Sequence, residues 1–208
     1  MNNNIESRPD VVEGKKEGKV IIEIGPGLAP SFILSDKLDR EIDDGASYVA
    51  IDCNLEELKG MEDIGLRERG AAVAGDLNKL PLKDKTANEI WALNVLSGFK
   101  NIPEKMPDGT SVTTLGFSKI FKELARVIKD DGRIIIGEIY TPVKGAKEVD
   151  LSKYGFDKQV FTGNELKEFL KENDISEEIL SEHSECERWG EPFFMVLTKN
   201  KAEESEKV

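Results

Sequence analysis

The chain has 208 residues, 38% of them hydrophobic, which suits one globular domain with a core of its own. Its formal net charge of −12 disfavours a polyanionic partner, because proteins hold phosphate backbones mainly through lysine and arginine. Two cysteines and one histidine, with no CxxC pair, disfavour a structural zinc site and fit a reducing compartment. No apolar stretch approaches the roughly 20 residues of a membrane span, and no secretory signal is recognisable. We therefore expect a cytoplasmic protein that is not held in a membrane.

Strand-like and helix-like patterns alternate along the chain between two polar ends. Residues 1–18 and 200–208 show no sustained hydrophobic period, and we expect a flexible lead-in and tail around a domain at 19–199. Short β-branched runs predict strands, and apolar residues spaced along one helical face predict helices. The predicted strands are 19–24, 48–51, 71–74, 89–93 and 133–139, and the predicted helices are 30–42, 55–69, 114–128 and 163–171.

This alternation predicts an α/β fold with a mainly parallel sheet and helices on both of its faces. The end of the chain departs from the alternation. Residues 175–183 and 192–198 are two strand candidates joined by a polar segment, which predicts a C-terminal antiparallel hairpin. Residues 97–112 and 140–161 are predicted to be long irregular connections, a kind of segment that often carries substrate contacts.

The first predicted strand breaks into Gly25-Pro26-Gly27 just before a helical pattern begins. Glycines at such a turn allow positive φ and a close approach of backbone to ligand. Glu23 lies one residue before the end of the strand, where burying an unpaired carboxylate costs several kcal/mol. We therefore expect Glu23 to meet a ligand group or backbone N–H donors. An ordinary turn with a solvated glutamate is the alternative.

Polar residues also close the next three predicted strands, at Asp52, at Gly75-Asp76 and at Asn94. In an open α/β sheet, ligands bind outside the carboxyl ends of the strands. These side chains should therefore converge on one crevice, where Asp52 can accept both hydroxyls of a ribose and Asp76 can accept from an exocyclic amine. Taken singly, each aspartate is more often a turn or cap residue.

In the order and spacing of these motifs, the chain resembles the class I S-adenosylmethionine-dependent methyltransferases. The family's acidic-x-Gly-x-Gly-x-Gly motif is similar to residues 23–29, with Ala29 in place of the last glycine. An acidic residue closes the second strand at Asp52, and residues 74–84 and 123–132 resemble the motifs before the fourth and fifth strands. The chain departs from the family where Ala87-Asn88 replaces Phe-Asp and where Asp130-Asp131 replaces Pro-Gly.

The resemblance implies that the mainly parallel sheet has seven strands. It also implies that the cofactor is S-adenosylmethionine and that it lies across the ends of the first four strands. Glu23 and the glycine turn would lie at its methionine portion, Asp52 would hold the ribose, and Asn94 would lie beside the methyl group. Asp76 and Leu77 would face the adenine. The residues expected to bind the cofactor are Glu23, Gly25, Pro26, Gly27, Asp52, Cys53, Asp76, Leu77 and Asn94.

The methyl acceptor is less well specified than the cofactor. Members that methylate planar nitrogens carry Asn-Pro-Pro-Tyr at the end of the fourth strand, whereas this chain has Asn94-Val95-Leu96-Ser97. That difference and the negative charge disfavour a nucleic acid, and leave a small molecule or an unidentified protein group as the acceptor. Methyl transfer is an in-line displacement that needs neither a metal nor a covalent residue, so we predict no metal site and assign no catalytic residue. Glu138 and Tyr140, at the end of the fifth strand, are expected to contact the acceptor.

Two other functions stay open beside methyl transfer. A catalytically silent cofactor-binding module of the same fold fits the motif departures equally well, because a fold does not establish an activity. An NAD-dependent oxidoreductase is less favoured, because the glycine motif lacks the GxGxxG spacing. The single histidine, His183, is more readily explained as a solvated strand-end residue than as a general base.

Overall fold

The computed structural model describes residues 18–26, 31–63, 70–95, 102–105, 111–114, 117–139, 149–177, 180 and 191–200. In this part of the chain, nine strands and five α-helices form, with a 3-10 turn at Ser152–Tyr154. The strands are β1 Val20–Ile24, β2 Ser47–Asp52, β3 Gly70–Ala74, β4 Ala87–Leu93, β5 Ile102–Lys105, β6 Ser111–Thr114, β7 Ile128–Glu138, β8 Phe156–Phe161 and β9 Phe193–Lys199. The helices are α1 Ser31–Leu34, α2 Asp36–Asp43, α3 Leu55–Asp63, α4 Phe117–Val127 and α5 Gly163–Glu172.

Seven of the strands form one sheet in the order β3-β2-β1-β4-β7-β9-β8. Strands β1, β2, β3, β4 and β7 run parallel to their neighbours, and β9 runs antiparallel to both β7 and β8. The predicted fold class, a mainly parallel seven-stranded sheet that ends in an antiparallel pair, is confirmed. Strand order reverses at β1, which places the ends of β1 and β4 side by side.

The sheet is covered by helices on both faces because its central strands are apolar on both sides, as buried parallel strands require. Ile22 of β1 belongs to a core cluster that includes Phe121 and Leu124 of α4. Ile21, its neighbour in β1, points to the other face, where a second cluster takes in helices α2, α3 and α5 through Leu38, Leu58, Leu166, Phe169 and Leu170.

The antiparallel pair is not the one that the sequence indicated. The partner of β9 is β8, Phe156–Phe161, and helix α5 lies between them in the chain. The prediction of a strand at 175–183 is therefore wrong for the residues of that range that the structure describes. Ile175 forms only an isolated bridge with Ser35, and Leu180 is helical. Residues 181–183, with His183, lie outside the described residues. The sequence predicted a loop where β8 forms, because Asp157, Lys158 and Gln159 are polar.

Two further predictions are corrected at the level of single elements. The connection 97–112 is not wholly irregular, because β5 and β6 pair in an antiparallel hairpin with Ile102 opposite Thr114. The helix predicted over 30–42 is broken at Ser35, whose hydroxyl accepts a bond from the Leu38 N–H at 3.2 Å and so caps α2. Of the two predicted flexible ends, only Gly18 and Asn200 lie within the described residues. No helix in the described ranges is long and apolar enough to cross a membrane.

Candidate functional site

The predicted site residues that the structure describes lie along the carboxyl edge of the sheet. In the strand register, Ile24 pairs with Ile51, Asp52 pairs with Ala74, and Leu93 pairs with Gly137. The ends of β2, β1, β4 and β7 therefore stand side by side, and the segments that follow them share one rim of the molecule. This arrangement brings Glu23, Asp52, Asn94 and Glu138 to that edge, with Gly75-Asp76 following β3.

Gly25 makes the turn that leaves β1. Its φ of +60° lies in the left-handed region, which favours glycine, and its N–H donates to the Ile51 carbonyl at 2.8 Å. A Cβ at this position would lie 3.0 Å from Cγ2 of Val95, so the turn packs closely against the segment after β4. Pro26 is buried, and Gly27 lies outside the described residues. The predicted role of these three residues toward a cofactor stays a prediction.

Glu23 is completely buried and is held by hydrogen-bond donors only. The Ser31 N–H lies 2.9 Å from Oε1 and 2.8 Å from Oε2, and the Ser31 hydroxyl donates to Oε1 at 2.7 Å. The Tyr48 hydroxyl donates to Oε2. One carboxylate thus ties β1 to the first residue of α1 and to β2, so the expectation that Glu23 meets a backbone N–H is confirmed.

Burial gives this carboxylate an unusual proton affinity. Removal from water raises the pKa of Glu23 to about 7, although the bonds from Tyr48 and Ser31 pull it down in part. Burial, and then the charge of Glu23, raise the pKa of the Tyr48 phenol well above its ordinary value. Tyr48 therefore remains a donor at every physiological pH, and of these two groups it is Glu23 that titrates in the neutral range.

Asp52 ends β2 with 7% of its surface exposed. Its Oδ1 accepts from the Asn54 N–H at 2.8 Å, and its carbonyl accepts from the Gly75 N–H at 2.9 Å. The described residues supply no hydrogen-bond partner to Oδ2, so a second carboxylate oxygen is available at the rim. The next residue, Cys53, is an exposed free thiol.

Asp76 follows β3 and is exposed at the same edge. Its Oδ1 accepts both from the Asn78 N–H at 2.8 Å and from the Asn78 side-chain amide at 2.9 Å, and these bonds lower the pKa of Asp76. Gly75 allows a close approach here, because a Cβ would lie 2.8 Å from Cγ2 of Ile51 and 2.9 Å from Cδ of Pro81. Leu77 is half-buried against the core. Asp76 therefore presents an ionised carboxylate from a fixed turn.

Asn94 links the ends of β4 and β7 through two hydrogen bonds. It has a φ of +54°, its Oδ1 accepts from the Ile139 N–H at 2.8 Å, and its own N–H donates to the Gly137 carbonyl at 2.7 Å. Glu138, the last residue of β7, is wholly buried beside this junction. Tyr140, the other predicted acceptor contact, lies outside the described residues. Among the described residues, no group of three or more His, Cys, Asp or Glu side chains could hold a metal ion.

Sequence reasoning missed Tyr48 and Ser31 as partners of Glu23. The signal for Tyr48 was present, since a large phenol alternates with Ala50 and Asp52 along β2 and so shares their side of the strand. Its partner could not be read from the sequence, because Tyr48 and Glu23 are 25 positions apart. Only the pairing of β1 with β2 brings the two side chains together.

No protein-family model matches this chain. A curated relative, a demethylmenaquinone methyltransferase from Mycobacterium marinum, is 28% identical over 126 residues. The match covers 61% of this chain and 44% of the relative, so the chain spans less than half of that protein's length.

Solved structures share their fold with most of this chain. Phosphoethanolamine N-methyltransferase 2 of Haemonchus contortus, in complex with S-adenosyl-L-methionine, matches with a TM-score of 0.56 and 13% identity over 91% of this chain and 50% of its own. The cyclase SpnF matches with a TM-score of 0.56 and 15% identity over 88% of this chain and 75% of its own. The chain has the fold of the class I S-adenosylmethionine-dependent methyltransferases, which confirms at the level of fold the resemblance carried by its motifs.

Proposed function

We propose that this chain binds S-adenosylmethionine at the carboxyl edge of its sheet and transfers the methyl group to a small molecule. The observation that carries the proposal is the convergence of Gly25, Asp52 and Asp76 at the ends of three adjacent strands, β1 to β3. The fold and the curated methyltransferase relative support the same activity. Ligands in open α/β sheets bind at this edge, where the strand order reverses.

Each polar group at the edge has a function that its geometry allows. Asp52 uses one carboxylate oxygen for the Asn54 N–H and keeps the other for the hydroxyls of a ribose. Asp76 likewise uses only Oδ1 for Asn78 and keeps Oδ2 for an exocyclic amine. The proposed cofactor-binding set is Glu23, Gly25, Pro26, Gly27, Asp52, Cys53, Asp76, Leu77 and Asn94.

Bound S-adenosylmethionine supplies an activated methyl group on a sulfonium, which is displaced in line by the acceptor. The chain's own contribution is to orient the two reactants and to exclude water, and this can supply most of the rate. Asn94 fixes the junction of β4 and β7 at which the acceptor would approach. Glu138 at the end of β7, with Tyr140 beyond it, is proposed to form one wall of the acceptor pocket.

A small-molecule acceptor fits the charge of the chain better than a nucleic acid. A net charge of −12 provides little electrostatic attraction for a phosphate backbone. The curated relative is named for demethylmenaquinone and the Haemonchus enzyme for phosphoethanolamine, neither of them a polymer. We further propose that the protein works in the cytoplasm, because its exposed Cys53 is a free thiol of the kind that a reducing compartment preserves.

Transfer of labelled methyl groups tests the activity directly. The protein is incubated with methyl-tritiated S-adenosylmethionine and pools of small acceptors, and labelled product is separated from the cofactor. We expect product from at least one pool with the wild-type protein, and at least tenfold less from Asp52→Ala at a subsaturating cofactor concentration. Product formed equally by both proteins would remove Asp52 from the site.

A second candidate is a cofactor-binding protein of this fold that does not transfer methyl groups. It is favoured by the cyclase SpnF, which shares the fold of this chain with a TM-score of 0.56 and carries a different activity in its name. The two candidates differ in one outcome. Tight binding of S-adenosylhomocysteine, with no label transferred to any acceptor pool, would favour the second.

A further inference from the structure

The segment after β3 makes a tight turn that carries Asp76. Asp76 and Lys79 form an isolated bridge, and the Lys79 N–H donates to the Asp76 carbonyl at 2.9 Å. Leu80 follows immediately and is buried. We call residues 76–84 the post-β3 loop. The position of Asp76 is therefore set by whatever holds Leu80 and the residues after it.

Arg126 of α4 uses all five of its N–H groups, the full donor capacity of a guanidinium, and three of them donate to this loop. Nε donates to Oε1 of Glu123 at 3.1 Å, and one Nη2 hydrogen goes to Oε2 of Glu123 at 2.7 Å. The other Nη2 hydrogen reaches the Leu80 carbonyl at 3.1 Å. Nη1 donates to the Leu82 carbonyl and to the Asp84 carboxylate, each at 2.8 Å.

Glu123, on the same helix, also binds the post-β3 loop. Its Oε2 accepts from the Leu80 N–H at 3.0 Å, so the N–H and the carbonyl of Leu80 are both bound by the Glu123–Arg126 pair. The hydrogen bond from Arg126 lowers the pKa of Glu123, which keeps this acceptor ionised. We call these two residues the loop clamp.

The loop clamp makes more hydrogen bonds to other segments than an ordinary ion pair on a helix surface. An exposed pair three residues apart contributes only a few tenths of a kcal/mol on average, and neither residue would need to bind another segment. Here the side chains are only 29% and 18% exposed, and most of their bonds end on a loop more than 40 positions earlier in the chain. Lysine has three donors and no planar fork, so it could not reproduce this pattern.

On the basis of the function proposed above, we propose that Arg126 and Glu123 are positioning residues for base recognition. The loop clamp holds Leu80, Leu80 ends the turn that begins at Asp76, and the Asp76 carboxylate accepts from the exocyclic amine of the adenine. Gly75 fixes the other end of this turn through its N–H bond to the Asp52 carbonyl. These contacts would give the proposed cofactor site its preference for adenine over other nucleobases.

The test compares two ligands that differ at that amine. S-adenosylhomocysteine carries the amine, and S-inosylhomocysteine carries a carbonyl oxygen there, which a carboxylate repels. Calorimetry should show that the wild-type protein prefers S-adenosylhomocysteine at least tenfold, and that Arg126→Lys lowers the preference to about twofold. The ratio of the two affinities is insensitive to a loss of stability, because an unfolded fraction weakens both ligands equally.

Arg133→Lys is the matched control. Arg133 lies midway along β7, opposite Glu89 of β4, and donates to the buried Glu89 carboxylate at 2.9 Å rather than to the post-β3 loop. This variant should lose stability and keep the wild-type ratio. Glu123→Gln keeps an acceptor for the Leu80 N–H and should give an intermediate ratio, which preserves the test if Arg126→Lys does not fold.

The outcomes separate this inference from the function on which it rests. Wild-type ratios in folded Arg126→Lys and Glu123→Gln would overturn the role of the loop clamp, and so would a wild-type protein that binds both ligands equally. Failure of the wild-type protein to bind S-adenosylhomocysteine at all would instead overturn the proposed function.

Discussion

Two glutamates are buried on the same face of the sheet, two positions apart along the strand direction, and the chain holds them in opposite ways. Glu89, near the amino edge, pairs in register with Ile21, and Glu23, near the carboxyl edge, pairs with Trp91. Glu89 accepts from Arg133 at 2.9 Å and contacts the Lys19 ammonium at 3.1 Å. Among the described residues, Glu23 has no lysine or arginine partner and accepts only from neutral donors.

The proton affinities of the two carboxyls differ accordingly. Burial raises the pKa of Glu89, but the hydrogen bond and charge of Arg133 and the charge of Lys19 outweigh it, so the net shift is downward. Burial dominates at Glu23, whose pKa rises to about 7. The amino edge is electrostatically neutralised within the chain. The carboxyl edge keeps a buried carboxyl group with a raised pKa and no cationic partner among the described residues, which is typical of an edge that serves a ligand rather than stability.

Removal of the charge at the amino edge should have the largest effect on stability. Glu89→Gln leaves Lys19 and Arg133 without their shared partner, and breaking a buried ion pair costs about 3 kcal/mol when the cations are partly exposed. Urea denaturation at pH 7 measures the loss. Affinity for S-adenosylhomocysteine should not change, and a loss of affinity in a folded Glu89→Gln protein would contradict the division between the two edges.

Titration of Glu23 should make the wild-type protein less stable as the pH rises. Its pKa is raised on folding from 4.5 to about 7, so the native state binds the extra proton and this stabilisation, complete below pH 4.5, is lost as the pH passes 7. Relative to Glu23→Gln, the wild-type protein should lose about 2 to 3 kcal/mol of stability between pH 5 and pH 8. Denaturation curves at each pH measure the difference.

Glu89 supplies the contrast for this experiment. Its pKa is lowered on folding, so its stabilisation is present above pH 4.5 and is lost only as the pH falls below that value. Between pH 5 and pH 8, Glu89→Gln should therefore run parallel to the wild-type protein. Parallel profiles for wild type and Glu23→Gln would show instead that Glu23 is not protonated in the neutral range.

Asp52→Ala should weaken the binding of S-adenosylhomocysteine by roughly ten- to a hundredfold, because a hydrogen bond to a charged group contributes about 1.5 to 3 kcal/mol. The fold should survive, since Asp52 stands at the end of β2 and its side chain binds only the Asn54 N–H within the described chain. Calorimetry measures the affinity. An unchanged value in a folded variant would reduce Asp52 to a turn residue.

Tyr48→Phe should produce the smallest of these effects. It removes one donor to Glu23, worth about 1 kcal/mol, loosens the link between β2 and the start of α1, and should weaken cofactor affinity about fivefold. The midpoint of the Glu23 titration should move to higher pH. Tyr154→Phe is the control, because Tyr154 stacks on Phe121 on the other face of the sheet, and it should leave both quantities unchanged.

The fold was largely predictable because its central strands are short runs made mostly of apolar residues. Val20–Ile24 and Ala87–Leu93 were located to within two residues for this reason. The edge strand β8 was not, because Lys158 and Gln159 stand where a central strand would be apolar. Ile175 suggested a strand by its hydrophobicity, but it is buried beneath the end of α5.

Only the candidate site residues that stand at the carboxyl ends of strands were predictable from the sequence. That rule placed Asp52 and Asp76 at one edge without further information. It could not find Arg126, which acts on Leu80 across 46 positions of sequence, because such contacts depend on how α4 packs against the sheet. Long-range hydrogen bonds of this kind leave no periodic signal in a single sequence.

The most direct test of S-adenosylmethionine as the cofactor is a thermal unfolding assay with three ligands, namely S-adenosylhomocysteine, NADH and ATP. A ligand that binds only the native state adds about 2.7 kcal/mol at 100 times its dissociation constant, which for a domain of this size raises the melting temperature by several degrees. If the chain binds S-adenosylmethionine as proposed, S-adenosylhomocysteine alone produces this shift. Equal shifts from all three ligands, or none from S-adenosylhomocysteine, would contradict it.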